Sequence, residues 1–529
     1  MMKSYLRYEP EKVFGVITSP TCGVAFDSSG NLVISGGIHE VNLWNVRQGT
    51  QTAQLKDRQD PAYPFCTVSE VTALAPSPDK KTIAVGYSTG EVKIFDFIQQ
   101  TLLTTFRGHR SAILTLVYDT LDDKGLILAS GGADCDIFLW DVVANVGLAR
   151  LRGHKDAITG IGFLKSRSNQ SLLVSASKDT LLKIWDVDTR HCIQTVLGHR
   201  SEIWCLAVLK PLEGEDPCAF RVLTGCGDDK IRGYRVRLST RDHTNSNDDV
   251  LLDDEELVLE YYGDVVRSAA RSDNDKCTHL AMGPSVIAAQ SGKSLEVFRV
   301  RGPTEIKRRL KKRLKKMKTN SGSEAHGAGA GDAWGGVAGV GSSSSSQSME
   351  EAVAAEEDGD GDSGDDGGDD DVLTESDAAT SPVVLSDELE YLSTIRAGAK
   401  LKGCCFRPVA HGHKGKLVVL LSLVTNSFEM YDVVPSRVDS DVGATPTKSM
   451  VLDMPGHRSD VRAVTVSEDG NTIASCSSEG VKVWSATTFT CIRSCNSGFG
   501  VTLAFAPGSR YLVVGTKEGA VQVSITLSL

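Results

Sequence analysis

Serine, histidine and aspartate recur together in this chain. His109, Ser130 and Asp134 precede Trp140, and His154, Ser175 and Asp179 precede Trp185 at the same offsets. A hydroxyl, an imidazole and a carboxylate are the groups of a nucleophilic hydrolase: the imidazole takes the hydroxyl proton and the carboxylate orients the imidazole. A nucleophilic site is built once, however, and this set returns after 45 residues. His199 continues the interval, followed by Thr224 and Asp228 ahead of Tyr234, where Trp is usual. Recurrence at a fixed period points to a scaffold. Groups buried together satisfy one another's hydrogen bonds, and losing one leaves the others unpaired at ~1–3 kcal/mol each. No phosphate-binding glycine loop, metal-ligand spacing or isolated nucleophile stands out elsewhere. No enzymatic activity, cofactor, metal or small-molecule substrate is therefore expected.

Strands must carry these sets. Gly108-His109 leads to Leu139-Trp140-Asp141 and Gly153-His154 to Ile184-Trp185-Asp186, with Gly-His pairs and Trp-Asp pairs each 45 residues apart. A period of ~40–45 residues bounded by Gly-His and Trp-Asp is the signature of a WD-repeat β-propeller. Weaker units flank the clear ones. Val41–Asn45 and Val92–Asp96 close the first and second, Tyr234 the fifth, Leu295–Phe298 the sixth with its polar set eroded, and Ser427–Asp432 the seventh. Seven units suit a closed ring, which removes exposed sheet edges. Val13–Ile17 is expected to supply the outer strand of the seventh. The pattern then restarts, from Gly456-His457 to Trp484 and from Val501 to Val523. The expected fold is all-β: a seven-bladed propeller over residues 1–440, then two blades of a second propeller over 449–529. Two blades leave apolar faces and a strand edge uncovered. The chain is accordingly expected to be incomplete as a unit, whether a truncated gene model, a fragment or a shortened isoform.

The net charge of −11 is unevenly placed. Ser239 to Glu260 is acidic and reads as a solvated loop. A longer insertion, 302–392, begins with a helix start at Thr304, taken as N-cap, with Glu305 facing the dipole. Nine of the twelve residues from Lys307 to Lys318 are basic: Lys307, Arg308, Arg309, Lys311, Lys312, Arg313, Lys315, Lys316 and Lys318. Ile306, Leu310 and Leu314 follow at i, i+4 spacing. From Thr319 to Ile395 there is no Lys or Arg; this tract, Gly/Ser-rich and then acidic, reads as disordered. Ser363, Thr374 and Ser386 lie before acidic residues there and suit an acid-directed kinase. The 13 cysteines include no Cys-x-x-Cys pair, and the first residues lack the apolar core of a signal peptide. Reduced thiols in an intracellular protein are the expectation.

Tyr5-Leu6-Arg7-Tyr8, Val13–Ile17, Pro76–Asp79 with Ala84–Tyr87, Gly153–Thr159, Lys178–Thr180 and Gly456–Arg462 resemble the Dip2-type family of WD-repeat proteins, called WD-repeat protein three in animals. The basic helix between the sixth and seventh units is placed as in that family. The resemblance implies a UtpB-subcomplex subunit of the small-subunit processome, the nucleolar assembly that folds and cleaves pre-ribosomal RNA around a small nucleolar RNA. Implied partners are other processome proteins, small nucleolar RNA and pre-ribosomal RNA, in the nucleus and nucleolus. The family has tandem propellers and a helical C-terminal domain that pairs with a sister subunit; this sequence departs from it by ending inside the second propeller.

The basic helix has two readings beside each other, RNA contact through phosphates and a nuclear-import signal. A membrane surface fits less well, because the apolar stripe is narrow and lacks an aromatic anchor. The alternative function is a substrate receptor of a cullin–RING ubiquitin ligase, whose Trp-Asp-x-Arg motif is approached by Trp44-Asn45-Val46-Arg47.

Overall fold

A computed structural model of the chain describes residues 13–19, 21–27, 29–56, 69–78, 81–119, 127–165, 171–211, 219–240, 255–267, 276–324, 383–408, 417–434, 445–453 and 456–525. Antiparallel four-stranded sheets follow one another, each made of strands consecutive in sequence. Blade 3, for instance, runs from its inner strand Ile113–Tyr118 through Ile127–Gly132 and Asp136–Asp141 to its outer strand Val146–Arg152. After the third strand an Asp or Asn turns the chain: Asp141 Oδ1 accepts the N–H of Val143 (2.9 Å) and Ala144 (2.8 Å), and Asn45 Oδ1 accepts those of Arg47 (2.9 Å) and Gln48 (3.2 Å). Asn45 thus does in blade 1 what the Asp of Trp-Asp does elsewhere.

The core is divided among the blade interfaces. Seven apolar clusters each join two neighbouring blades. The one between blades 7 and 1 closes the ring, with Leu420, Phe428, Met430 and Leu452 against Phe26, Val33, Trp44 and Val46. The large aromatic of each third strand is the wedge. Trp140 stacks on Phe106 of blade 2 at 5.0 Å, and Trp44 meets Phe428 of blade 7 edge-on at 6.5 Å. Each such ring is buried on the preceding blade, so burial that one blade cannot achieve alone is achieved by the ring.

The outer strand of blade 7 is Thr447–Leu452, not Val13–Ile17: Met450 pairs with Met430 and Leu452 with Phe428, and Leu452 is buried. The chain supplies this strand itself, so the boundary expected between 440 and 449 falls one strand later. Val13–Ile17 forms no strand and has another place. Phe14 packs on Trp484 of blade 8 at 5.2 Å, where other blades place the preceding blade. Gly15 has a φ of +74°, and a Cβ there would meet the Trp484 ring at 2.7 Å. Asn426 ties the joint. Its Oδ1 accepts from Ile17 N (2.7 Å) and Thr18 N (3.2 Å), and its Nδ2 donates to Gly15 O (2.8 Å) and His457 O (3.2 Å). Blade 8 (Ala463–Cys495) and the sheet Gly500–Ile525, three-stranded among the described residues, share one small core around Val483 and Val514. On these two sheets Val464, Val466, Val501, Val521 and Val523 are exposed.

Two expected loops shorten. Ser239–Thr240 and Glu255–Glu260 belong to a hairpin, in which Leu238 pairs with Leu257 and Val236 with Leu259. Backbone pairing thus continues past the point where acidic composition suggested a loop. Leu389–Leu392, placed in the insertion, lies in the outer strand of blade 6, Leu389–Arg396. Just before it the short helix Leu385–Glu388 is locked in place. Leu385 is fully buried, and Glu388 faces Arg221 Nε at 2.8 Å, Arg235 Nη2 at 2.5 Å and the hydroxyl of Tyr262 at 3.0 Å. Arg301 donates to the carbonyls of Ser386, Asp387 and Leu389 at 3.1, 3.0 and 3.0 Å. Ser386 is exposed but Asp387 and Glu388 after it are buried, so the acidic context expected to attract a kinase is occupied inside the fold. Ser363 and Thr374 lie outside the described residues.

Removing one partner of a buried ion pair strands the other, at ~3–5 kcal/mol. Glu388→Ala should lower unfolding free energy by about that amount and speed amide exchange in Leu389–Arg396. Urea melts and hydrogen exchange that match the parent would show that the clamp does not hold this strand.

Candidate functional site

The repeated polar sets assemble as follows. In blade 4, Trp185 Nε1 donates to Ser175 Oγ (2.8 Å), Ser175 Oγ lies 2.8 Å from His154 Nε2, and His154 Nδ1 lies 2.9 Å from Asp179. Blade 3 repeats this with Trp140, Ser130, His109 and Asp134 at 2.8, 2.8 and 2.9 Å. A carboxylate only accepts, so His Nδ1 carries the proton, Nε2 is an acceptor, and the serine O–H donates to it. Each hydroxyl is therefore engaged at both ends. Ser130 and Ser175 are fully buried, which leaves no approach for a substrate. The arrangement fixes three segments to one another and offers no free nucleophile. Burial alone would raise the pKa of Asp134 and Asp179; the N–H of Arg110 or Lys155 and the histidine outweigh it and hold both carboxyls below 3.8.

Blade 5 departs from the expected set. His199 Nε2 reaches Thr224 Oγ1 at 3.0 Å and Tyr234 OH at 3.3 Å, but Asp228 turns to Arg232 Nη2 at 2.5 Å instead of the histidine. An available guanidinium has captured the carboxylate. Burial first, then the charge of Arg232, pushes His199 down to about 4. Two sets escaped the sequence reading. Trp44 Nε1 donates to Ser35 Oγ (3.0 Å), which donates to Ile17 O (2.5 Å) in place of a histidine. In blade 8, Ser475 Oγ receives Trp484 Nε1 at 2.8 Å and faces His457 Nε2 at 2.7 Å. The available signal was a serine nine residues before Trp, against ten in blades 3 and 4. In blades 2, 6 and 7 the register places Val85, Ala289 and Leu421 at the serine position, and Phe95, Phe298 and Tyr431 at the Trp position.

The basic residues lie on a helix, Pro303–Glu324. It starts one residue ahead of Thr304, with proline at the first helical position, where its missing N–H costs nothing. It also runs through Thr319–Glu324, into the tract expected to be disordered, the rest of which lies outside the described residues. Lys307, Arg308, Arg309, Lys311, Lys312 and Lys315 are exposed, Arg313 and Leu314 half-buried, and Ile306 and Leu310 buried. Lys316 and Lys318 continue the helix, with side chains outside the described residues. A surface so dense in cations attracts polyanions. No helix among the described residues is long and apolar enough to cross a membrane. Among them no cluster of His, Cys, Asp and Glu could hold a metal.

Two outcomes follow from the networks. Asp179→Ala and His154→Ala should each lower stability by ~1–3 kcal/mol through the buried partners left behind; thermal melts unchanged by both would contradict this. His199 and His457 take a proton at about 4 when folded, chiefly because of burial, against 6.5 ordinarily. The unfolded chain thus binds protons first as pH falls. Their contribution is complete above 6.5 and is lost on acidification toward 4, at up to ~1.4 kcal/mol per pH unit for His199 and less for the half-buried His457, which solvent screens. Urea unfolding across this window should show the decline and His199→Gln should flatten it; a parent profile already flat would refute the assignment.

The family model described as the WDR3 first beta-propeller domain matches residues 31–236, and that of the WD domain, G-beta repeat, matches residues 448–485. U3 small nucleolar RNA-associated protein 12 of Saccharomyces cerevisiae is 27% identical over 539 residues, covering 99% of this chain and 48% of that protein. WD repeat-containing protein 3 homolog of Dictyostelium discoideum is 32% identical over 142 residues, 27% of this chain and 14% of that one. WD repeat-containing protein 3 of Homo sapiens is 31% identical over 139 residues, 26% of this chain and 14% of that one. The chain therefore spans about half the length of the yeast protein. A ring of WD blades makes this a WD-repeat β-propeller protein, one that is similar to U3 small nucleolar RNA-associated protein 12 over nearly the whole chain and to WD repeat-containing protein 3 over about a quarter of it.

Proposed function

We propose that this chain is a non-enzymatic scaffold subunit in ribosome biogenesis, assembling with other UtpB and processome proteins in the nucleolus. In this reading its basic helix contacts pre-ribosomal or small nucleolar RNA. The observation that carries the RNA part is the set of six exposed cations, Lys307, Arg308, Arg309, Lys311, Lys312 and Lys315, on one helix. Lysine and arginine release counterions from phosphates, which gives affinity independent of sequence and weakened by salt. The name of the yeast relative supports a setting with U3 small nucleolar RNA. The engaged, buried hydroxyls of the repeated sets support a scaffold rather than a catalyst. Their geometry ties strands and turns together, leaving binding to the surfaces of the blades and to the helix.

Affinity purification of the tagged chain, with protein and RNA both identified, tests the assembly; recovery of a cullin adaptor instead would overturn it. For the helix, Lys311, Lys312, Arg313, Lys315 and Lys316 changed together to Gln should weaken RNA binding alike across sequences. The slope of log K against log salt should flatten by ~0.7 per lost phosphate contact. Propeller stability should hardly change. RNA affinity insensitive to these substitutions would leave the helix as an import signal only.

A further inference from the structure

Blade 8 leaves open a place that blades 3 and 4 fill with an aspartate. Ser475 lies nine residues before Trp484, against ten from Ser175 to Trp185, and the missing residue falls in the turn: Ser478–Gly480 stands where blade 4 has Lys178–Leu181. In blade 4, Asp179 accepts the Lys155 N–H at 2.9 Å and lies 2.9 Å from the imidazole of His154. In the shorter turn Glu479 is exposed and accepts only the Arg458 N–H, at 3.4 Å. Ser475 Oγ receives the indole N–H of Trp484 and gives its own proton to His457 Nε2, so Nδ1 of the neutral ring carries the remaining hydrogen. That N–H has no acceptor among the described residues.

A second donor stands beside it. The position two residues before the wedge aromatic is Lys93, Lys183, Arg232 and Glu429 in blades 2, 4, 5 and 7. Each has a partner there: Glu91 at 3.3 Å, Thr195 at 2.8 Å, Asp228 at 2.5 Å and Lys448 at 2.6 Å. In blade 8 this position is Lys482, which is 8% exposed and has neither a hydrogen bond nor an ion pair among the described residues. Burial, and after it the Lys482 ammonium, holds the pKa of His457 at about 4, so the two donors lie within electrostatic reach of each other. Both side chains line one cavity of about 370 Å³, against the roughly 10–15 Å³ that a single water needs. Arg458, Asp453 and Glu479 share its wall, and the first two pair with each other. We propose that this cavity receives one carboxylate of a partner protein, an Asp or Glu side chain, whose oxygens accept from His457 Nδ1–H and Lys482 Nζ–H. It would take the place that Asp134 and Asp179 hold in their own blades. Donors left without acceptors in a mostly buried site are costly, and one monoanion satisfies both. An RNA strand fits less well, because the phosphates on either side of the bound one would pass Asp453 and Glu479. This contact is independent of any RNA contact by the basic helix.

The ring nitrogens of the ¹⁵N-histidine-labelled full chain offer a local readout, with the His457 signals identified among the 11 histidines by their loss in His457→Gln. Their shifts should show the proton on Nδ1. End-capped Ala-Asp-Ala or Ala-Glu-Ala should move them to saturation at pH 7, and the Asn and Gln counterparts should not. The bound carboxylate should also raise the pKa of His457, because a neighbouring anion favours the imidazolium. Lys482→Gln should weaken binding on the order of tenfold, as for a lost hydrogen bond to a charged group. Exchanging the turn Ser478–Gly480 for that of Lys178–Leu181 supplies an internal aspartate and should abolish the response. The Trp484 indole signal reports whether blade 8 remains folded in either variant. His457 signals indifferent to the Asp and Glu peptides, or equally responsive in folded Lys482→Gln or after the turn exchange, overturn the proposal, as does a proton found on Nε2. A response to oligouridylate but to neither acidic peptide overturns it in favour of phosphate.

Discussion

One buried hydroxyl per blade fixes how the best-formed blades are built. In blades 3 and 4 the serine of the second strand receives the indole N–H of the third and lies against the imidazole that precedes the first. That single oxygen sets the depth at which the tryptophan ring sits, and the ring is the wedge that meets the preceding blade. Hydrogen bonding within a blade and apolar packing between blades are therefore one constraint. A shifted ring would break the first and open the second.

The blades without the network make the same point from the other side. Where serine is replaced by Val85 or Ala289, the ring is phenylalanine, which brings no N–H to be satisfied. Where Leu421 takes the serine position, the ring is Tyr431, and its hydroxyl donates instead to Glu429 at 2.9 Å. The pair changes together because a lone buried donor costs more than a donor and acceptor removed at once. Wedge packing is common to the ring; the polar network is one of two ways to hold the wedge.

Long connections need ties of another kind. The outer strand of blade 6 follows the insertion, and its entry is secured by Glu388 among Arg221, Arg235 and Tyr262. The passage from blade 7 to blade 8 is secured by Asn426, whose amide satisfies both the N-terminal segment and the start of the next repeat. Both ties use a polar side chain with several partners, which gives direction as well as attraction. Apolar contact alone would permit sliding along a strand.

The sequence by itself determined the repeat and much of the polar network. Gly-His, Ser, Asp and Trp recur at fixed offsets because each blade must solve the same local hydrogen-bonding problem, and the period marks that problem in one dimension. The basic helix was legible for a similar reason, since charge density and i, i+4 spacing are local properties. Tertiary structure decided whatever depended on which distant group competes. Asp228 has the right place for the network but Arg232 stands nearer, and offsets say nothing of such capture. Ser35 works without a histidine because the carbonyl of Ile17 arrives from the joint. Val13–Ile17 has the pattern of a strand, yet Thr447–Leu452 takes the edge and leaves it to cover Trp484. A periodicity reports the neighbours that every repeat shares; the neighbours that only one repeat has are set by closure of the ring.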